Sequence, residues 1–281
     1  MPTIETTLAT ASATLANEGI ANALRDAKLL LRAALGKTEA FLIAYPEFEI
    51  DEESGQIFEK LLERRLAKEP IQYILGKQEF YGLEFVVRPG VLIPRPETEI
   101  LVEHALRSIA PFEAPRGFEI GIGSGCISVA LLRQYEDLRM RATDISLDAI
   151  AIARENIEKH GVADRIELSR GDLFGDLQKD ERFDLIVSNP PYIGSEEFSG
   201  LEAQVRQFEP KTALTDDADG FSVIERIATE SGKHLKEGGR IFVEIGFGQS
   251  ERAMEIFAKN GWKDIEIIPD LAGIPRILRA C

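Results

Sequence analysis

From about residue 97 to the C-terminus, short apolar runs alternate with stretches of helical spacing, and no other feature narrows the possible folds as far. The apolar runs cover residues 117–122, 139–145, 165–169, 183–189, 240–246, 265–269 and 276–280, and helical spacing falls near 97–110, 125–134, 147–159, 221–236 and 249–260. A strand that is followed by a helix re-enters its sheet parallel to its predecessor. The alternation therefore predicts an α/β fold with a seven-stranded, mainly parallel sheet and helices on both faces. Such a sheet binds ligands at the carboxyl ends of its strands. No helix fits between the last two runs, which predicts an antiparallel hairpin at the C-terminal edge.

The first part of the chain follows another rule. Residues 4–68 carry apolar side chains at helical spacing, among them Leu8, Leu15, Ile20, Leu24, Leu30, Leu31, Leu61 and Leu62, with Gly36 and Pro46 as punctuation. This is a small helical bundle. Residues 79–94 alternate instead and contain Gly82 and Pro89-Gly90, so they read as a β-hairpin. The chain divides into a helical part at 1–75, a hairpin linker at 76–96 and the α/β part at 97–281.

The strand ends carry the chemistry. Gly121, Ile122, Gly123, Ser124 and Gly125 follow the first strand of the sheet and open a helix. Glycines at this spacing allow close backbone approach to a ligand, and the GxGxG pattern suits a nucleoside better than the GxGxxG that wraps a pyrophosphate. Asp144 ends the next strand, where an acid accepts from ribose hydroxyls; the alternative is a helix cap, for which Ser146 is the better candidate. Asp172 ends the third, as an acceptor for an adenine amino group with Leu173 and Phe174 packing on the ring, or as a plain turn residue.

The fourth strand ends in Ser188-Asn189-Pro190-Pro191-Tyr192. Two prolines stop a strand and stiffen the chain as it leaves. The set of strand ends resembles the S-adenosylmethionine-dependent methyltransferases, and Asn-Pro-Pro-Tyr is similar to the motif of those that methylate planar amino groups. A planar NH2 has a delocalised lone pair and is a poor nucleophile, the ~18–20 kcal/mol barrier to amide rotation giving the scale. Two acceptors aimed at its N–H bonds, the Asn189 Oδ1 and the Pro190 carbonyl, would hold the nitrogen against a methyl donor and favour the developing charge. Tyr192 is expected to pack its ring on the planar group.

Composition limits the partners. The net charge of −15 is spread over both parts of the chain and disfavours a nucleic-acid phosphate backbone as partner. Two cysteines, Cys126 and Cys281, and three scattered histidines offer no disulfide framework and no metal-ligand spacing, so no metal is expected. No apolar run has the length of a bilayer span, and the first twenty residues lack the basic start and apolar core of a signal peptide. A cytoplasmic protein, with no membrane and no direct nucleic-acid contact, is expected.

Further segments narrow the family: Leu92-Ile-Pro-Arg-Pro-Glu-Thr-Glu99 and Glu209-Pro-Lys-Thr-Ala-Leu214. Together with GxGSG and NPPY they closely resemble the release factor glutamine methyltransferases, the HemK-like enzymes, over about residues 27–279. The resemblance implies a Rossmann-like methyltransferase sheet and methyl transfer from S-adenosylmethionine, leaving S-adenosylhomocysteine. The acceptor it implies is the side-chain N5 of glutamine in the Gly-Gly-Gln motif of bacterial class I peptide chain release factors. By residue it implies cofactor contacts at 121–125, Asp144, Asp172, Leu173 and Asn189. It implies substrate contacts at Asn189, Pro190, Pro191 and Tyr192, with Arg95 and Glu97 lining the pocket. Glu119 stands where the family has Asp. An acidic surface also suits a basic, rRNA-binding protein partner. The chain itself is expected to be a monomer whose N-terminal helices either dock the partner or cap the sheet. An adenine or guanine amine in nucleic acid is the alternative acceptor.

Overall fold

The computed structural model describes residues 1–281 and divides into two compact units: Met1–Gly76 with Ala203–Phe208, and Lys77–Glu202 with Glu209–Cys281. The first holds helices α1 (Ile4–Asn17), α2 (Ala23–Leu35), α3 (Glu39–Ala44), α4 (Glu52–Leu66) and α5 (Ile71–Leu75). Ala27, Leu30 and Leu31, spaced i, i+3, i+4 on α2, are fully buried against Ile4 and Leu15 of α1 and Phe58 of α4. Three starts are capped by a side-chain oxygen: the Thr3 hydroxyl accepts from Thr6 N at 3.3 Å, the Thr38 hydroxyl from Phe41 N at 3.2 Å and the Asp51 carboxylate from Ser54 N at 2.8 Å. Gly36 ends α2 in the left-handed region, at φ 63°.

The second unit begins with a hairpin, β1 (Lys77–Phe80) against β2 (Leu83–Val86). Its turn is Tyr81-Gly82, both at positive φ (53° and 72°), the geometry that matches strand twist in a two-residue loop. The Tyr81 amide donates to Glu99 Oε1 at 2.8 Å and the Gly82 amide to Glu79 Oε1 at 2.7 Å, which holds a non-glycine residue in this unfavourable conformation. Pro89-Gly90 is no part of the hairpin, because it lies beyond β2 in the segment that leads to the sheet.

The sheet and its helices come next: α6 (Thr98–Ile109), β3 (Arg116–Ile120), α7 (Cys126–Gln134), β4 (Arg139–Asp144), α8 (Leu147–Lys159), β5 (Ile166–Arg170) and β6 (Phe183–Ser188). After β6 come three short helices, α9 (Ser195–Phe198), α10 (Ala203–Phe208) and α11 (Lys211–Leu214). The chain closes with α12 (Ser222–Glu230), β7 (Leu235–Glu244), α13 (Ser250–Lys259), β8 (Glu266–Pro269) and β9 (Pro275–Ala280). The sheet order is β5-β4-β3-β6-β7-β9-β8, parallel from β5 to β7 and antiparallel across β7-β9-β8. Every residue of β6 is buried, as a central parallel strand requires. Its Leu185 and Val187 join one core layer with Leu101, Val129 and Ile157 of α6, α7 and α8, while Phe183 and Ile186 join the other with Ile224 of α12 and Phe257 of α13.

Two boundaries depart from the sequence reading. The helical pattern at 221–236 stops at Glu230, and β7 starts at Leu235 instead of residue 240. Gly238, at φ 78°, and Gly239 lie inside this strand beside a register shift against β6, and glycines there mask the strand signal. No helix is long and apolar enough to cross a membrane.

Inside the helical unit, Arg65 Nε donates to Asp26 Oδ2 at 2.7 Å, with both side chains buried, and Arg65 Nη1 donates to Glu69 O at 2.9 Å. Removing one partner strands the other charge away from water. Asp26→Ala should therefore destabilise this unit by about 3–5 kcal/mol, whereas Lys77→Ala, which breaks the exposed pair with Glu84, should cost under about 1 kcal/mol. Urea unfolding of the two variants measures the contrast, and equal effects would refute it.

Candidate active site

The carboxyl ends of β3, β4 and β6 and the loop after β5 open into one cavity of about 170 Å³. Gly121, Ile122, Gly123, Ser124, Asp144, Asp172, Leu173, Asn189, Pro190, Pro191 and Arg95 line it. Gly125 does not; it packs behind the loop, where an added Cβ would lie 3.4 Å from Ala153 Cβ. Gly121, Gly123 and Gly125 all have positive φ (75°, 54° and 83°), so the loop bends in a way that side chains resist. An added Cβ at Gly121 or Gly123 would meet nothing within 4 Å, which leaves the backbone open on that side.

The loop is tied to the next strand. Gly121 N and Ile122 N donate to Thr143 O at 2.9 and 3.0 Å, and Gly123 N donates to Asp144 Oδ2 at 3.0 Å. The other Asp144 oxygen accepts from Ser146 N at 2.9 Å. Ser146 is the helix cap, its hydroxyl accepting from Ala149 N at 3.2 Å, so Asp144 is left to face the cavity. Asp172 pairs both carboxylate oxygens with Arg226, at 2.8 and 3.1 Å. Leu173 sits at φ 52° with its carbonyl held by the Thr143 hydroxyl at 2.8 Å, and its side chain reaches the cavity. Phe174 turns away into the core, stacked on His234 with ring centroids 5.2 Å apart.

At the far wall the proline turn presents Asn189, Pro190 and Pro191. Tyr192 lies one layer behind them: it packs on the core, its hydroxyl donates to Glu244 Oε1 at 3.2 Å, and it does not line the cavity. Gln249 clamps the turn, donating to Tyr192 O at 2.7 Å while accepting from Gly246 N at 2.8 Å. Glu97 precedes α6 and also lies outside the cavity lining, which takes Thr98 from that element. Arg95 is braced by Glu209, whose carboxylate accepts from Arg95 Nη2 at 2.5 Å and from Ile93 N at 3.0 Å. That bridge brings together the two segments, 92–99 and 209–214, for which spacing alone supplied no partner.

Three acids and a hydroxyl at the site receive no role from the sequence pattern. Glu119, buried at the end of β3, lines the cavity and accepts from Ser128 N at 3.0 Å and from the Ser128 hydroxyl. Burial pushes its carboxyl up to about 8 against the pull of those two donors. Glu244 ends β7, fully buried, and is pushed up to about 7 by the same cause. Glu209, the brace of Arg95, is the third acid. Burial also raises Asp144 above the ordinary carboxylate value and the Tyr192 phenol above its own. Thr98 bridges Asn189 and Glu244. The signal available for Glu119 and Glu244 was an acid beside the apolar residues at the carboxyl end of a strand; Thr98 has no signal in a single sequence.

The chain is similar to known proteins over most of its length. Residues 6–76 match the PrmC N-terminal domain and residues 96–205 the methyltransferase small domain. Over 264 residues the chain is 42% identical to the release factor glutamine methyltransferase of Geobacter sulfurreducens, covering 94% of this chain and 91% of that one. Its identity to the protein of the same name from Neisseria gonorrhoeae is 40% over 253 residues, covering 90% and 91%. A bifunctional methyltransferase of Rickettsia felis is 39% identical over 302 residues, which cover 98% of this chain and 57% of that longer one. Among solved structures, a methyltransferase from Pyrococcus furiosus shares the fold, with a TM-score of 0.52 and 18% identity over 81% of this chain and 98% of that one.

Glu119 gives the cavity a measurable signature. Its value is near 4.5 in the unfolded chain and about 8 in the fold, so between those limits the folded protein keeps a proton that the unfolded chain has released. The stability it contributes is present at low pH and is lost as the pH rises through that window. Glu119→Gln removes the titration and retains an acceptor for Ser128. Relative to wild type the variant should gain about 2–4 kcal/mol between roughly pH 5 and pH 9, at ~1.4 kcal/mol per pKa unit. Denaturant unfolding of the cofactor-free protein at both pH values tests this, and a constant difference would contradict it.

Proposed function

The chain belongs to the release factor glutamine methyltransferases, and from that premise we propose that it methylates the side-chain nitrogen of the glutamine in the Gly-Gly-Gln motif of class I peptide chain release factors, with S-adenosylmethionine as donor. The observation that carries the reading is the shared cavity: a nucleoside-type glycine loop with Asp144 on one wall and the Asn189 turn on the other.

The cavity residues fit that donor. The open backbone at Gly121 and Gly123 leaves room for close approach, and Asp144 offers acceptor lone pairs for ribose hydroxyls. Of the carboxyl groups around this space, Asp172 is paired with Arg226 and burial holds Glu119 toward its neutral form, which leaves Asp144 as the acceptor for the ligand. Leu173 supplies an apolar wall for a flat base. When bound, S-adenosylmethionine supplies an electrophilic methyl on a sulfonium.

The chain's own part is orientation. Asn189 Oδ1 and the Pro190 carbonyl accept the two N–H bonds of the glutamine amide and turn its nitrogen toward the methyl position. Partial negative charge on those oxygens favours the positive charge that grows on the nitrogen as it is alkylated. Pro190 and Pro191 restrict the backbone and Gln249 ties down its far end, so little ordering is left for the reaction itself. Two acceptors and no strong base suffice, because the nitrogen becomes acidic as it is methylated and its proton then leaves to water. Arg95, braced by Glu209, lines the same cavity beside Pro94 and confines the amide there.

Incubation with S-adenosylmethionine and a release factor should add a single methyl mass to the glutamine of Gly-Gly-Gln, and none to a factor whose glutamine is replaced by Ala. Methylation of that replaced factor would sink the reading. Asn189→Ala should bind S-adenosylhomocysteine within about threefold of wild type and lose turnover by roughly 100-fold or more, as removal of a transition-state acceptor implies. Calorimetry and a methyl-transfer assay separate the two effects.

A further inference from the structure

Asn189 works in this reading only if its amide is held one way round, oxygen into the cavity. The amide alone does not enforce that, since its oxygen and nitrogen ends have the same size. The group facing the other end decides. Asn189 Nδ2 lies 3.2 Å from Thr98 Oγ1, and Thr98 Oγ1 lies 2.7 Å from Glu244 Oε2. The other carboxylate oxygen, Oε1, takes the Tyr192 hydroxyl at 3.2 Å. Thr98 and Glu244 are 3% and 2% exposed, so water does not compete for these bonds.

With Glu244 ionised, the order of donors along this chain has one solution. An ionised carboxylate only accepts, so both hydroxyls must point their protons at Glu244. The Thr98 oxygen, its single proton committed, is left as an acceptor, and only the NH2 end of Asn189 can serve it. The amide oxygen is then turned into the cavity. We propose that Glu244, acting through Thr98, sets the orientation of the Asn189 amide, making Thr98 and Glu244 positioning residues for the methyl acceptor. The network draws on three separate elements: the start of α6, the turn after β6 and the end of β7. It gives Tyr192 a function from behind the cavity wall: it occupies the second carboxylate oxygen, so that Thr98 meets an acceptor already fixed in place. The charged groups that act on Glu244 besides these are Arg276 and Glu97.

The inference rests on Asn189 being the acceptor of the substrate NH2, and the test separates the two. Wild type, Thr98→Val and Thr98→Ser are assayed with a release factor at a pH of about 8.5, above the value of about 7 to which burial raises Glu244. Val keeps the shape of Thr and removes the relay; Ser keeps the relay. Thr98→Val should lower kcat by roughly 10- to 100-fold, the scale of a misplaced reacting group. Its KM for the release factor and Kd for S-adenosylhomocysteine should stay within about twofold, and Thr98→Ser should restore kcat to within about threefold of wild type. If the Val variant does not fold, Thr98→Ala carries the same expectation. Full kcat in the variant lacking the hydroxyl overturns the proposal. So does a loss that appears equally in KM, in cofactor-product affinity and in the Ser variant, because that is the pattern of a structural role. A wild-type protein that leaves the release factor unmethylated would overturn the functional reading itself.

Discussion

The pairing of β3 with β6, two parallel strands adjacent in the sheet but far apart in the chain, is the constraint on which the site depends. From β3 the chain moves outward through β4 to β5, then returns to the other side of β3 for β6 and β7. The connections that leave β3 and β6 therefore run in opposite directions, and a crevice opens between their carboxyl ends. The glycine loop enters it from β3 and the proline turn from β6. The two walls of the cavity meet because the sheet reverses there, although Gly123 and Asn189 lie 66 positions apart in the chain.

That location has an electrostatic cost. Glu119 and Glu244 lie buried at the carboxyl ends of β3 and β7, where water cannot solvate a carboxylate, and both are displaced toward the neutral form. Each is tolerated because donors reach it: Ser128 for Glu119, Thr98 and Tyr192 for Glu244. These donors come from helices and turns at the carboxyl edge of the sheet, so the same local geometry that shapes the cavity also satisfies its acids. A buried polar network of this kind fixes directions as well as positions, which apolar packing alone does not do.

The architecture was legible in the sequence because hydrophobic period and strand ends are local properties. The sheet, its reversed C-terminal hairpin and the helical bundle all follow from spacing. The features that escaped depend on distant neighbours. Tyr192 reads as a ring at the end of the motif, and only Glu244, from the next strand, shows that the ring is turned inward to present its hydroxyl to a buried acid. Phe174, next to a cavity residue, is drawn into the core by Phe118 and His234. The hairpin turn at Tyr81-Gly82 was obscured because tyrosine seldom adopts positive φ, and the Glu99 that stabilises it comes from α6. Thr98 looks like any residue at a helix start until β7 is placed beside it.

The same distinction bears on how such a site can be rigid without being built on regular structure. Asn189 lies just past the end of its strand, where a side chain would ordinarily be free to reorient. Its backbone is stiffened from one side by two prolines, whose restriction is intrinsic to the sequence. The far end of the turn is tied by Gln249 to the loop after β7, and the Asn189 side chain by Thr98 to the acid that ends β7. Both tethers lead to one strand. The carboxyl end of β7 thus acts as the reference against which the turn after β6 is held, and the close parallel register of these two strands, Ser188 opposite Val243, transmits the position of one to the other. If the Asn189 amide orients the substrate amide as proposed, it needs that kind of frame, because a rotation of its own plane would reverse donor and acceptor.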